Sequence, residues 1–205
     1  IRDSHVIISE SGLELSIEAA LDLPLLEPLA VTGTLGVVSG GIYGSLEVGG
    51  VGPESLLIDG GDIFSISGHF LLQLNTTNQV QTVRGINSKG EVDPATGLVP
   101  AFVNVDLSVQ SLHIAGSVSI DLLDAVHMAG SIDILIDENG LVAQADLELD
   151  LGFLGSIDVS GGIAFINEGG TPVFALRMEA DVTLGSGPIS ITAGALLEIN
   201  TSDTT

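Results

Sequence analysis

The chain has 205 residues, enough for one large β domain or two small ones with a sizeable core. It carries 27 acidic residues against 4 basic ones, a formal net charge of -23. That balance excludes nucleic acid as a partner and disfavours an anionic membrane surface, and the absence of cysteine removes disulfides and thiolate metal sites.

Residues 11–30 contain two prolines that interrupt any helical turn, while Leu13-Glu14-Leu15-Ser16-Ile17 alternates as a strand does. Phe64-Ser65-Ile66-Ser67-Gly68-His69-Phe70-Leu71-Leu72-Gln73-Leu74-Asn75-Thr76-Thr77 reads as a strand closed by a polar turn. The stretch from 78 to 100 is the least strand-like part, with Arg84, Lys89, Pro94, Pro100 and several glycines, so a long loop is expected there. From Val103 to Val109 the odd positions are apolar, and from Leu112 to Leu122 the parity is reversed. The polar pair Gln110-Ser111 absorbs that slip, which predicts a bulge or tight bend. Ile132–Ile136 and Ala145–Leu151 flank Asp137-Glu138-Asn139-Gly140, the strongest hairpin signal in the chain. Leu176–Leu184 alternates again.

The phrase at Phe64 returns 125 residues later as Ile189-Ser190-Ile191-Thr192-Ala193-Gly194-Ala195-Leu196-Leu197-Glu198-Ile199-Asn200-Thr201-Ser202, identical at six of fourteen positions. Such self-similarity marks a chain built from repeated supersecondary units. The reading is therefore a first unit over 1–80, a loop-rich boundary over 81–100 and a second unit over 101–205. The expected fold is all-β: repetitive, mostly antiparallel curved sheets arranged as a sandwich, a flattened barrel or an elongated meander, with little or no helix. A second motif, a small residue followed by Gly within a strand, occurs at Thr32-Gly33, Ser67-Gly68, Ala115-Gly116, Ala129-Gly130, Ser160-Gly161 and Ala193-Gly194. Glycine there marks a bend, a bulge or a close approach, and repeated curvature is the reading preferred from sequence.

Chemistry-bearing constellations are few. Asp146, Glu148 and Asp150 share one strand face, Asp133 and Asp137 share another, and Arg177, Glu179 and Asp181 line a third. Crowded carboxylates repel, and Ca²⁺ relieves such repulsion through oxygen coordination; Asp137, Glu138 and Asp62 are the turn-borne candidate ligands. No EF-hand or Gly-Gly-x-Gly-x-Asp segment is present, and a charge-rich strand face is usually just solvated, so no cofactor is expected, with Ca²⁺ the one candidate. His5, His69, His113 and His127 lack ligand spacing, and His69 is replaced by Gly194 in the second copy of the phrase. With no nucleophile elbow and no phosphate loop, the chain is not expected to be an enzyme. Asn75-Thr76-Thr77 and Asn200-Thr201-Ser202 are glycosylation acceptor sequences in form, and strand-ending turns in the preferred reading.

The two copies of the phrase, with the acidic composition, resemble in style the giant repetitive surface and adhesin proteins of aquatic microbes. That resemblance implies a structural or adhesive module, extracellular or at the cell surface, which assembles through strand edges into a fibre or surface layer. Its partners would be neighbouring repeats or copies of itself, and further a surface polysaccharide or lipid. The abrupt ends read as those of a mature or excised piece of something longer. No long apolar segment predicts a transmembrane helix, and the aromatic girdles of an outer-membrane barrel are missing. The competing expectation is a β-groove or barrel that binds lipid or another apolar ligand, lined by the alternating strands.

Overall fold

The computed structural model describes residues 3–9, 12–21, 29–49, 56–59, 64–86, 92–98, 102–123, 125–168, 171–185 and 190–201. It is almost entirely antiparallel sheet, as the alternation predicts. The strands are β1 (Asp3–Ser9), β2 (Gly12–Leu21), β3 (Leu29–Val38), β4 (Gly41–Val48), β5 (Leu56–Asp59), β6 (Phe64–Asn75) and β7 (Gln81–Ile86). They continue as β8 (Phe102–Leu107), β9 (Ser111–Leu122), β10 (Val126–Asp137), β11 (Gly140–Asp150), β12 (Gly155–Glu168), β13 (Thr171–Leu184) and β14 (Ile191–Asn200). A single 3₁₀ turn, Gly152–Leu154, is the only helical segment among the described residues, and no helix is long and apolar enough to cross a membrane.

Eleven strands follow one another across the main sheet in the order β1-β2-β3-β4-β6-β9-β10-β11-β12-β13-β14. β5 adds to β6 alongside Ser65–Ser67, on the edge that β4 occupies further along at Phe70–Asn75. The arrangement is a meander, in which chain neighbours become sheet neighbours through short connections. The one long excursion lies between β6 and β9, which pair along their full length from Phe64↔Leu122 to Asn75↔Ser111.

That excursion holds the main departure from the expected loop. Gln81–Ile86 is a strand, paired with β8 from Gln81↔Leu107 to Ile86↔Phe102 in a separate two-stranded sheet. Its alternation is real but short: Val83 and Gly85 point inward and are buried, while Thr82 and Arg84 point outward. The expected slip at Gln110-Ser111 is a bend. Gln110 takes a left-handed φ of 46°, and there the chain leaves the small sheet for the large one.

The small sheet lies over β3 and β4 and makes the only enclosed core among the described residues. Tyr43, Val83 and Leu107 are buried there, with Val38 and Val105 packed against them. Tyr43 reaches across β3 because its paired residue is Gly36, whose missing side chain leaves the ring its place. The Tyr43 hydroxyl then donates to Glu14 Oε2 on β2 at 3.1 Å.

The sheet is not closed into a barrel. Closure requires strands staggered by a fixed shear. Here the register keeps the strand ends level: Leu122, Val126, Gly155, Leu184 and Ile191 all fall in one transverse row. Of the three expected architectures, the open meander is the one formed.

Candidate functional site

Directly opposed residues in an antiparallel ladder share a face, and successive residues alternate. Applied to the registers, this rule divides the main sheet into two unlike surfaces. One face carries the ionisable groups. Glu14, Glu47, His69, His113, Asp121, Asp146, Arg177 and Glu198 all belong to it, interspersed with Ser, Thr and some apolar residues. The other face carries none among the described residues, from Val6 on β1 to Ile199 on β14. A single transverse row shows its character: Leu72, Ile114, Ile134, Ala143, Ile163, Leu176 and Ile199 are consecutive partners.

Nothing among the described residues covers that apolar face. Leu35, Leu46, Phe70, Leu72, Ile132, Leu147 and Phe165 all remain more than a third exposed. The sequence reading expected these alternating residues to point inward; they are apolar, but no second layer encloses them. The apolar band of one long strand, Val126 to Ile136, spans about 34 Å, and eleven strands spread over about 48 Å, so the face measures roughly 1,600 Å². The largest apolar patch of an ordinary monomer is about 300–600 Å².

Of the six in-strand glycines of the second motif, all but Gly194 lie on this face, and Gly116 serves a close approach there. Gly33, Gly68, Gly116, Gly130 and Gly161 lie on the apolar side, and none has positive φ. At Gly116 an added Cβ would stand 2.8 Å from the Phe70 ring, which lies down over the gap. The outcome is a surface of aliphatic and phenylalanine side chains, with the polar Asn167 only at its end.

On the opposite face, three histidines each meet a carboxylate. His127 Nδ1 is 2.6 Å from Asp121, to which Ser65 Oγ also donates at 3.3 Å. His113 Nε2 is 3.0 Å from Asp133, with its other ring nitrogen 3.2 Å from Gln73. His69 Nε2 is 3.8 Å from Glu47, a carboxylate only 4% exposed beneath the small sheet. These pairs escape a search for sequence spacing because they are made across strands; only the register reveals them. Glu148, Asp158 and Asp181 are directly opposed on three successive strands. Arg177 bridges Glu179 at 2.9 Å and Glu198 at 3.4 Å, and these carboxylates hold its ionisation above the ordinary range.

The candidate Ca²⁺ ligands are placed as follows. Asp137 and Glu138 sit together at the β10–β11 turn, and Asp62 lies outside the described residues. The Asp137 carboxylate accepts from the Asn139 backbone N–H at 2.8 Å and from its side-chain amide at 3.3 Å, shaping the turn. Among the described residues no group of three or more His, Asp or Glu side chains is gathered to hold a metal.

The two copies of the repeated phrase occupy equivalent places. Thr76 Oγ1 accepts from the Ile42 N–H and donates to the Ile42 carbonyl, at 2.9 and 3.1 Å. Thr201 Oγ1 does the same with Phe174, at 2.9 and 3.2 Å. Asn75 has no exposed surface, so the folded chain offers it to no glycosylating enzyme. Comparison of the chain with protein-family models, with curated proteins and with solved structures gives no match.

Proposed function

We propose that this chain is a non-enzymatic β-sheet module that holds lipid acyl chains against its apolar face, with its acidic face turned to water. The observation that carries the reading is the roughly 1,600 Å² face without a charged side chain among the described residues. A surface of that size is not stable in water and demands a cover. A protein partner of standard kind makes about one hydrogen bond per 100–200 Å². This face offers almost no polar side chain, and its backbone groups are spent on ladders, so hydrocarbon is the partner that loses nothing by contact. The flush strand ends favour an open trough over a closed, tilted barrel.

Native mass spectrometry of the chain purified without detergent tests the reading. Adducts with the masses of acyl lipids are expected, and Ile134→Asp with Ile163→Asp in the middle row should remove them while circular dichroism stays that of a sheet. Lipid-free protein that dimerises would instead mean that a second copy covers the face, and the reading would fall.

A second reading rests on a different observation. Every residue of β14 is exposed, and its outer edge has no partner strand among the described residues. Such an edge is a template for another strand. It supports a structural or adhesive module of an extracellular or cell-surface protein that assembles edge to edge into a fibre or layer. Ca²⁺ would act there by neutralising carboxylate rows such as Glu148, Asp158 and Asp181.

A further inference from the structure

The two ends of the strands differ in chemistry as much as the two faces do. At one end the turns are polar: Asp137-Glu138-Asn139 joins β10 to β11, and Asn75-Thr76-Thr77 with Gln110 closes β6 and opens β9. At the other end the connections β9–β10, β11–β12 and β13–β14 begin side by side, and their described residues are apolar but for Ser190. Leu123 is 68% exposed, Phe153 77% and Leu154 54%.

These side chains belong to one contiguous edge. A Cβ built on Gly152 would lie 3.3 Å from the Ala125 carbonyl oxygen, which places the first two connections side by side. The Gly185 N–H donates to the Leu154 carbonyl at 2.9 Å, which joins the third. The last row of the apolar face, with Leu122, Leu184 and Ile191 all exposed, runs directly into this edge. The nearest described carboxylate of the middle connection, Asp150, is turned back to accept from the Gly152 N–H at 2.7 Å. Asp124, outside the described residues, adds a negative charge to the first.

Leu123 makes the edge more than an accident of composition. Its φ of 53° is left-handed, a conformation that costs an ordinary residue roughly 1–2 kcal/mol and that Asn or Gly adopts with ease. A large apolar side chain held in a strained turn and pointed into solvent gains nothing for folding, and strain of that kind is characteristic of functional contact.

We propose that this end of the sheet is a membrane-contact edge: Leu123, Phe153 and Leu154 enter the acyl layer of a zwitterionic bilayer, so that the apolar face opens onto the same hydrocarbon. The second half of that statement rests on the acyl-chain reading above; the first does not. Charge selects the lipid class. A chain of formal net charge -23 is repelled by anionic headgroups, so the contact must be made by apolar insertion into a neutral surface.

Flotation with phosphatidylcholine vesicles, with and without phosphatidylglycerol, tests it. The unaltered protein should float with phosphatidylcholine, float less when phosphatidylglycerol is added, and recover as salt is raised. The variant Leu123→Asn, Phe153→Ser, Leu154→Ser should lose about tenfold or more of the binding to phosphatidylcholine, since three apolar side chains no longer leave water. Leu123→Asn suits the left-handed turn, so the fold survives, as circular dichroism and a retained thermal midpoint would show. A variant that floats like the parent, a parent that never floats, or a preference for anionic vesicles would each overturn the proposal. Mass spectrometry of bound lipid separates the two readings. Protein that carries lipid but does not float defeats the edge alone, and protein that floats but carries none defeats the trough alone. Self-association that the triple variant abolishes, without vesicle binding by the parent, would reassign the edge to contact between copies.

Discussion

Asn75 is fully buried and held by five hydrogen bonds. Its amide is shared among the carbonyls of Gln79, Leu107 and Ser108 at 2.9, 3.1 and 2.9 Å, and its carbonyl oxygen accepts from the N–H and hydroxyl of Thr77. It thereby fixes the corner where the chain leaves the main sheet and the corner where it returns. Asn75→Ala would remove these five hydrogen bonds from a fully buried site, leaving the Gln79 and Ser108 carbonyls only their bonds from Thr77 and Ser111, and urea denaturation should show a loss of about 3 kcal/mol. Tyr43 offers a second reading at this scale. Burial first, then the hydrogen bond and charge of Glu14, hold its phenol above the ordinary value of 10.0. The unfolded chain therefore releases this proton at lower pH than the folded one. Above about pH 10 the unfolded state binds fewer protons, and stability falls as pH rises until the folded phenol also ionises. Tyr43→Phe should flatten that alkaline decline. With one Tyr and no Trp in the chain, phenolate absorbance follows this group alone.

Among the elements, β6 and β14 show how the repeated phrase acts. Ile66 and Ile191, like Leu72 and Leu197, stand on the apolar face, while Leu71 and Leu196 stand on the other. Both strands end in an Asn-Thr pair whose threonine closes against the preceding neighbour strand. The difference is coverage. β6 is flanked by β4 and β9, whereas among the described residues β14 has a partner only in β13. Its segment Ile191–Asn200 has one charged residue, Glu198, and no proline, so little blunts the edge. If edge pairing drives assembly, light scattering should rise with concentration, and Leu196→Lys should suppress the rise by placing a charge on the strand. A chain that stays monomeric at high concentration, with and without Ca²⁺, sinks the assembly reading. The alternation that locates these strands was visible in the sequence because period two is a local property. β7 was not, because its two inward positions, Val83 and Gly85, are too short a pattern to outweigh the glycines and charges around it.

For the molecule as a whole, the decisive quantity is the apolar face that no described residue covers, and acyl lipid is the cover expected on it. Alternation by itself marks these segments as strands with one apolar and one more polar side, and the turn signals between them predict antiparallel pairing. The Asp137–Gly140 hairpin and the break in parity at Gln110-Ser111 also follow from local residue order. Local order does not say what lies over the apolar sides, and a reader of the sequence places them in a core. Among the described residues they stay open because a meander of chain neighbours forms one layer, and the one pair of strands that doubles back, β7–β8, covers part of the polar face. The histidine–carboxylate pairs, the row of Glu148, Asp158 and Asp181, and the gathering of Leu123, Phe153 and Leu154 at one end depend likewise on register. Register is a relation between residues far apart in the chain. Side-chain period is written into each strand; what each strand meets is decided only when the sheet assembles.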